Sequence, residues 1–152
     1  MADEDQLRIL KEGIGEWNKW RTDNPAEVPD LTDANLRHAK LTGALLREAN
    51  LKGAMLHGAI LRYANLFRAD LRGADLGCAD LGRADLRGAD LSDADLGEAV
   101  LCGVAMKYAN LSRVSLREAD LSEAVFDCTN LSDADLAGAN LFSATITGRT
   151  VL

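Results

Sequence analysis

The sequence predicts an all-β solenoid preceded by an α-helical cap, and two regularities support this fold class. From Leu31 to Val151 every fifth residue is large and apolar, and 21 of these 25 centres are leucine. Two residues before each centre lies a small residue, almost always alanine, with Asp or Asn usually between the two. The centres that are not leucine are Met106, Phe126, Ile146 and Val151.

A period of five residues fits neither regular secondary structure. In an α-helix, five residues turn the chain by about 140° from one centre to the next, so the leucines would spiral over every face. In a flat strand, side chains alternate, so successive leucines would point to opposite faces. We therefore predict short extended segments separated by bends, with Ala and Leu inward and Asp or Asn outward. The inward leucines of the middle units are Leu71, Leu76, Leu81, Leu86, Leu91 and Leu96.

Glycine and proline positions support the bends. Eleven of the 13 glycines occupy one of the two positions after a centre, where a corner with unusual φ favours glycine. The only prolines, Pro25 and Pro29, precede the repeat, as expected if later N–H groups bond between coils.

The unit Ala-(Asp/Asn)-Leu-x-x resembles the A(D/N)LXX pattern of the pentapeptide-repeat proteins. The resemblance covers residues 31–151 in a fixed frame without insertion, and residues 31–152 are predicted to form the repeat domain. It implies a right-handed quadrilateral β-helix with four units per coil and about six coils. At about 4.8 Å per coil, such a tower is roughly 30 Å tall, and each residue stacks on the one twenty positions further on.

Residues 1–30 are predicted to form the cap and a linker. The segment 5–21 places four apolar side chains on one helical face, and "TDNPAEVPD" ends it. These cap residues are Leu7, Leu10, Ile14 and Trp17. Gly13 and Gly15 weaken this helix, so its continuity through them stays open. The stretch "WNKWRTDNPAEVPDL" also resembles the cap of cyanobacterial members of the family. At the other end we expect "TGRTVL" to leave the last coil uncovered, so a weak homodimer through that end is one alternative.

Composition narrows the function classes. A net charge of -7 and a pI near 4.8 argue against nucleic acid or an anionic membrane as the partner. The sequence lacks a signal-peptide pattern and any run of membrane-spanning length, so a cytoplasmic location is expected. Three cysteines without a CxxC motif favour exposed free thiols over disulfides or a zinc site.

The regular aspartates of the middle units suggest a metal site at first sight, but their spacing argues against one. Successive units face different directions, so neighbouring carboxylates cannot converge on one cation, and a solvated charged exterior is the preferred interpretation. His38 and His57 should lie near one corner without a third ligand. No catalytic or nucleotide-binding motif is present, so we expect no cofactor, no metal and no catalytic residue.

Apolar residues at outward positions are more informative, because the pattern places Asp or Asn there. One group is predicted to gather round one vertical edge of the tower as a contact patch for a partner or a second copy. Ordinary sequence drift is the alternative. The patch residues are Val100, Cys102, Ala105, Val125 and Phe142.

These observations favour a non-catalytic scaffold or protein-binding module whose partner is another protein. An enzyme is disfavoured, because a tube packed with Ala and Leu offers no concave pocket. The resemblance implies an alternative, since some family members mimic duplex DNA and inhibit a type II topoisomerase (gyrase). The repeat body departs from that role, since its net charge is only -3 and arginines interrupt its acidic columns.

Overall fold

The computed structural model describes residues 1–151. Two helices, α1 (Glu4–Glu12) and α2 (Ile14–Asp23), precede a right-handed quadrilateral β-helix, the fold that the family resemblance implies. Within the described residues, neither helix is long and apolar enough to cross a membrane.

The helix predicted over 5–21 is divided in two at Gly13, one of the two glycines at which the sequence leaves its continuity open. Gly13 has φ 148° and ψ 161°, a conformation that a residue with a Cβ rarely adopts, and α2 starts directly after it. The Asp3 carboxylate caps α1 by accepting the Gln6 N–H at 3.0 Å. Gly15 lies within α2 and does not interrupt it.

The cap helices cover the first coil and bond to its free edge. Leu10 and Trp17 are buried, while Leu7 and Ile14 are partly buried against the core. The Trp17 indole N–H donates to the carbonyl of Leu45 at 3.1 Å.

Polar side chains of α2 also form hydrogen bonds to the free edge of the first coil. Arg21 donates to the carbonyls of Leu45, Arg47 and Glu27, and Asn18 both donates to and accepts from the coil at Gly43 and Leu45. These backbone groups have no preceding coil to pair with, so the cap satisfies an edge that would otherwise be open. The sequence analysis did not identify this role of Asn18 and Arg21.

Each coil takes twenty residues, and parallel backbone bridges join residue i to residue i+20. Within this ladder, the Leu71 N–H donates to the Asp90 carbonyl at 2.7 Å, and the Asp90 N–H donates to the Ala69 carbonyl at 3.0 Å. Regular strands form in the lower coils, where β1 (Val125–Asp127) pairs with β2 (Thr145–Thr147) in the same register.

The tower has four faces, which we number in the order in which the chain meets them. The outward residues of the first face are Asp30, Asn50, Asp70, Asp90, Asn110 and Asn130. Those of the second face are Asn35, Met55, Asp75, Asp95, Ser115 and Asp135. Those of the third face are Lys40, Ile60, Asp80, Val100, Asp120 and Asn140. Those of the fourth face are Leu45, Asn65, Asp85, Ala105, Val125 and Thr145.

The inside of the tower is filled by the two apolar registers. The six middle leucines, from Leu71 to Leu96, have no exposed surface, and the alanines paired with them are buried as well. Phe126 replaces leucine in a lower coil and is also fully buried. Thr129 stands in the alanine register, and its hydroxyl donates to the Met106 carbonyl at 2.8 Å, so this buried polar group is satisfied.

The corners are turns in which the second residue after each centre has a positive φ. This holds for 16 residues other than glycine, from Asp33 to Ser143, with φ between 54° and 61°. Such a φ at the third residue of a four-residue turn is typical of type II geometry.

The prediction that both corner positions need unusual φ is therefore wrong for the first of them. Gly77, Gly82 and Gly97 lie there without a positive φ. At Gly77 an added Cβ would stand 2.9 Å from Nδ1 of His57, and at Gly82 it would stand 2.9 Å from a guanidinium nitrogen of Arg62. These two glycines make room for the side chain twenty residues earlier.

The outward Asp and Asn residues cap the corners. Oδ1 of Asp85 accepts the Arg87 N–H at 3.1 Å, and Oδ1 of Asn110 accepts the Ser112 N–H at 3.2 Å. At nearly all other outward Asp and Asn positions, the side-chain oxygen likewise accepts the N–H of the residue two positions further on. The carboxylates interpreted as a solvated exterior thus also satisfy a turn N–H that the ladder does not use.

The fixed frame fails at its last unit. A strict period would place Arg149 in the inward alanine register and Val151 at a centre. The chain instead contains one more residue there, since Val151 pairs with Asn130 at a spacing of 21 and is 50% exposed. Arg149 thereby stays exposed, which avoids burying an unpaired charge.

We expect Leu86→Ala to lower the free energy of unfolding by about 2 to 5 kcal/mol, because it empties a fully buried position. The matched control is Asp85→Ser on the adjacent outward position, where a hydroxyl can still accept the turn N–H. Urea denaturation measures both. Equal midpoints for the two variants would contradict the inward and outward assignment.

Stability should also fall at acid pH. Hydrogen bonds from Arg72, Arg87 and Ser122 hold the pKa of Asp70, Asp85 and Asp120, respectively, below the ordinary value. A lowered folded-state pKa stabilises the protein above the unfolded value of about 3.9, and that contribution is lost as pH falls through the folded pKa.

Urea midpoints between pH 7 and pH 3 measure this effect. Asp85→Asn keeps the turn acceptor but cannot titrate, so it should lose less stability than the parent protein below pH 4. An identical pH dependence in the two proteins would show that Asp85 contributes nothing to acid sensitivity.

Candidate interaction surface

The structure places the predicted contact patch around the fourth face. Ala105 and Val125 are bridge partners on that face, while Cys102 and Phe142 lie at the corner between the third and fourth faces. Phe142 is 75% exposed. Val100 lies across this corner on the third face, where its bridge neighbours are Asp80 and Asp120, so on its own face it has no apolar neighbour.

Aromatic side chains concentrate at the same face, which the sequence analysis missed. Four aromatic residues of the coils point outward, and all four lie on the two corners that border the fourth face. Tyr63 and Phe142 stand at one corner and Phe67 and Tyr108 at the other. Tyr63 is 52% exposed and Tyr108 62% exposed. Sorting the residues by their position within the twenty-residue coil would have revealed this arrangement.

Cations stack on these aromatic rings. The Arg68 and Arg87 guanidinium carbons lie 5.2 and 5.8 Å from the Phe67 ring centre, and Nζ of Lys107 lies 4.9 Å from the ring centre of Tyr108. At the other corner, the Arg62 guanidinium lies 5.6 Å from the Tyr63 ring. Such contacts fix otherwise mobile side chains against the tower.

Charge is distributed unevenly around the tower. The fourth face with its two corners carries six Lys or Arg residues against four carboxylates, a net charge of +2. The second face with its two corners carries five against eight, a net charge of -3. In an acidic protein, the aromatic face is thus also the cationic one.

A shallow groove of about 240 Å³ crosses the upper part of the fourth face. Phe67 lies between Arg47, one coil above, and Arg87, one coil below, while Asn65 and Asp85 come from the face itself. Arg87 is already paired with Asp85 at 2.7 Å. The groove therefore combines an aromatic surface with two guanidinium groups.

The other side chains considered from the sequence form smaller groups. The His38 and His57 rings meet edge to face at 6.1 Å, and Nδ1 of His57 lies 3.5 Å from Asp75. Across residues 1–151, no three His, Cys, Asp or Glu side chains are grouped to hold a metal ion. Of the thiols, Cys78 is exposed, whereas Cys102 and Cys128 are half-buried, so the expectation of exposed thiols is wrong for two of them.

A second apolar surface lies at the last coil. There the inward Leu136 is half-buried, and Leu141 and Ile146 are exposed. Phe142 borders both this end and the fourth face.

Comparison with known proteins gives a consistent family. The pentapeptide repeats family matches the chain in eight copies over residues 30–62, 64–103 and 106–148. A solved pentapeptide repeat protein of the Arabidopsis thaliana thylakoid lumen is 31% identical with a TM-score of 0.51, over 59% of this chain and 66% of that one.

Two cyanobacterial structures are also similar. The pentapeptide repeat protein HetL of Nostoc, involved in heterocyst differentiation regulation, is 29% identical with a TM-score of 0.43, over 79% of this chain and 73% of that one. Rfr23 of Cyanothece is 25% identical with a TM-score of 0.40, over 88% of this chain and 96% of that one. No functionally curated protein matches the chain.

The outward Ala105 on the fourth face has no side-chain oxygen with which to cap the corner that follows it. In the part of the chain that the structure describes, the Lys107 N–H has no acceptor, because Ala105 replaces Asp or Asn. We expect Ala105→Asn to raise the free energy of unfolding by about 0.5 to 1.5 kcal/mol through one new hydrogen bond. Ala105→Leu, of similar size but without an acceptor, is the control in urea denaturation. An equal change in both variants would show that the corner N–H does not limit stability.

Proposed function

We propose that this chain, which belongs to the pentapeptide-repeat family, is a non-catalytic protein-binding module that recognises its partner through the fourth face. The observation that carries this proposal is the position of the outward aromatic residues, all of which border that one face. Aromatic residues and arginine are the side chains most enriched in protein interfaces and their hot spots.

The interior supports a binding role over a catalytic one. Alanine and leucine fill the tower, and the groove at Phe67 is open and shallow. A catalytic centre requires a concave site in which several polar groups converge on one reacting atom. The side chains of the fourth face instead spread along the tower at steps of about 4.8 Å.

The rigid frame favours recognition. The backbone of each outward residue is held by a corner and, away from the end coils, by a ladder on both sides, and cations stacked on the aromatic rings restrict the longer side chains. A surface ordered before binding loses less conformational entropy in the complex.

The charge pattern favours this proposal over mimicry of duplex DNA. Asp70, Asp80 and Asp85 each pair with an arginine, at 2.6, 3.3 and 2.7 Å. The exterior therefore presents ion pairs where a DNA mimic needs long columns of uncompensated negative charge.

A second copy of the chain is one candidate partner. Phe142 joins the fourth face to the apolar end formed by Leu136, Leu141 and Ile146, so a homodimer through that end would also involve the border of the face. Self-association and capture of another protein are separable by experiment.

Affinity capture from the native host tests the proposal with the double variant Val125→Asp/Phe142→Asp beside the parent chain. We expect at least a tenfold loss of the captured partner, because a charge replaces apolar contact area on the fourth face and at its corner. Ser115→Asp adds a carboxylate on the second face, away from the predicted contact, and as the control it should change nothing.

Sedimentation velocity on the same proteins reports self-association. The fourth face is not the recognition surface if the double variant alters neither the captured proteins nor the sedimentation coefficient. Folding of each variant is verified by its thermal unfolding midpoint.

A further inference from the structure

We infer that the partner segment bound by the fourth face is acidic and carries apolar residues, an inference that rests on the proposed binding role. The chemical character of the face changes from its upper to its lower coils. Its upper coils are cationic and aromatic around Phe67, and its lower coils are apolar at Ala105 and Val125. A complementary segment presents carboxylates to the first part and apolar side chains to the second.

Two arginines on opposite borders of this face have no carboxylate of their own. Among the residues that the structure describes, Arg68 and Arg83 lie within 4 Å of no acidic group. Both are exposed and both occupy the left-handed corner position, with φ 55° and 58°. Since neighbouring cations are paired, these two are available to an incoming carboxylate without breaking an existing ion pair.

Glycines hold these two arginines along the tower. A Cβ placed at Gly88 would stand 3.3 Å from Cγ of Arg68, and one at Gly103 would stand 3.3 Å from Cγ of Arg83. The aliphatic parts of the two arginine side chains therefore lie over the glycine backbone, and their guanidinium groups lie along the borders of the face. Arg68 is also stacked on Phe67, which orders it further.

The groove explains why an acidic side chain fits better than a bare anion. A glutamate side chain can lay its methylene groups on the Phe67 ring that lines the groove and direct its carboxylate to Arg68, whose guanidinium carbon lies 5.2 Å from the ring centre. Guanidinium groups bind carboxylates with two parallel hydrogen bonds, and the aromatic surface adds apolar contact.

The length of the segment follows from the spacing of the coils. From the level of Arg47 to that of Val125 is four coil steps, or about 19 Å. An α-helix of about 13 residues or an extended segment of about 6 residues spans that distance.

Single-stranded nucleic acid is the less favoured partner. Asp85, Glu123 and Asp127 interrupt the cations of the face and its corners, and the chain as a whole carries -7. A polyanion needs a continuous cationic track, whereas a short acidic segment needs one cluster.

The test uses three fluorescein-labelled probes of about 14 units, long enough for a helix that spans the face. The first is a helical peptide of Glu and Leu, the second has Gln in place of every Glu, and the third is oligothymidylate. Fluorescence anisotropy at low salt gives the dissociation constants. We expect the Glu peptide to bind at least tenfold more tightly than the Gln peptide and the oligonucleotide.

Matched variants locate the binding site. Arg68→Gln/Arg83→Gln should weaken binding of the Glu peptide at least fivefold. Arg72→Gln/Arg113→Gln removes the same charge at the corner between the first and second faces and should change it less than twofold. Thermal unfolding of both variants verifies that they fold.

Three outcomes would overturn the inference: equal binding of the Glu and Gln peptides, equal effects of the two double variants, or tighter binding of the oligonucleotide. If one of these occurs while Val125→Asp/Phe142→Asp still abolishes partner capture, the fourth face remains the binding surface and its partner is not acidic. If partner capture is also unchanged, the proposed function itself fails.

Discussion

The inward leucines stack at a spacing of twenty residues, and the backbone ladder keeps the same spacing from Asp30 to Thr147. Leu71 donates its N–H to Asp90, and Asp90 donates back to Ala69, so two hydrogen bonds tie each unit to the unit one coil further on. Burial and hydrogen bonding thus reinforce one another at every position. The left-handed corner residues follow from the same constraint, since only a sharp turn after each leucine returns the next alanine to the inside.

Outward positions carry two competing demands. An Asp or Asn there caps the corner that follows, as Asp85 does for the N–H of Arg87. An apolar residue such as Ala105 or Val125 has no side-chain oxygen to accept the corner N–H. On the fourth face, Asn65 and Asp85 keep the cap beside Phe67. Leu45, Ala105 and Val125 lack it, which fits a surface selected in part for contact at some expense of local stability.

The period predicted the fold because burial of leucine determines it almost alone. The sequence left open whether the cap helix breaks at Gly13 or Gly15, because apolar periodicity continues through both and only the local φ shows the division at Gly13. The sequence also did not reveal the added residue before Val151, because the five-residue spacing of the apolar centres continues to Val151. Only the inward position that this spacing assigns to Arg149 conflicts with it. The fourth face was predicted only in part, through Ala105 and Val125. Its aromatic border depends on positions about forty and about eighty residues apart, which a residue-by-residue survey of the pattern does not compare.

Glycines beneath long side chains affect how the outer surface of this fold evolves. His57 leans over Gly77, Arg62 over Gly82 and Arg68 over Gly88, so the side chain at one position and the vacancy twenty residues later act as one unit. Replacing the glycine would redirect a side chain that belongs to another coil. The exterior is therefore inherited as vertical pairs, and epistasis between sites twenty residues apart is built into this architecture.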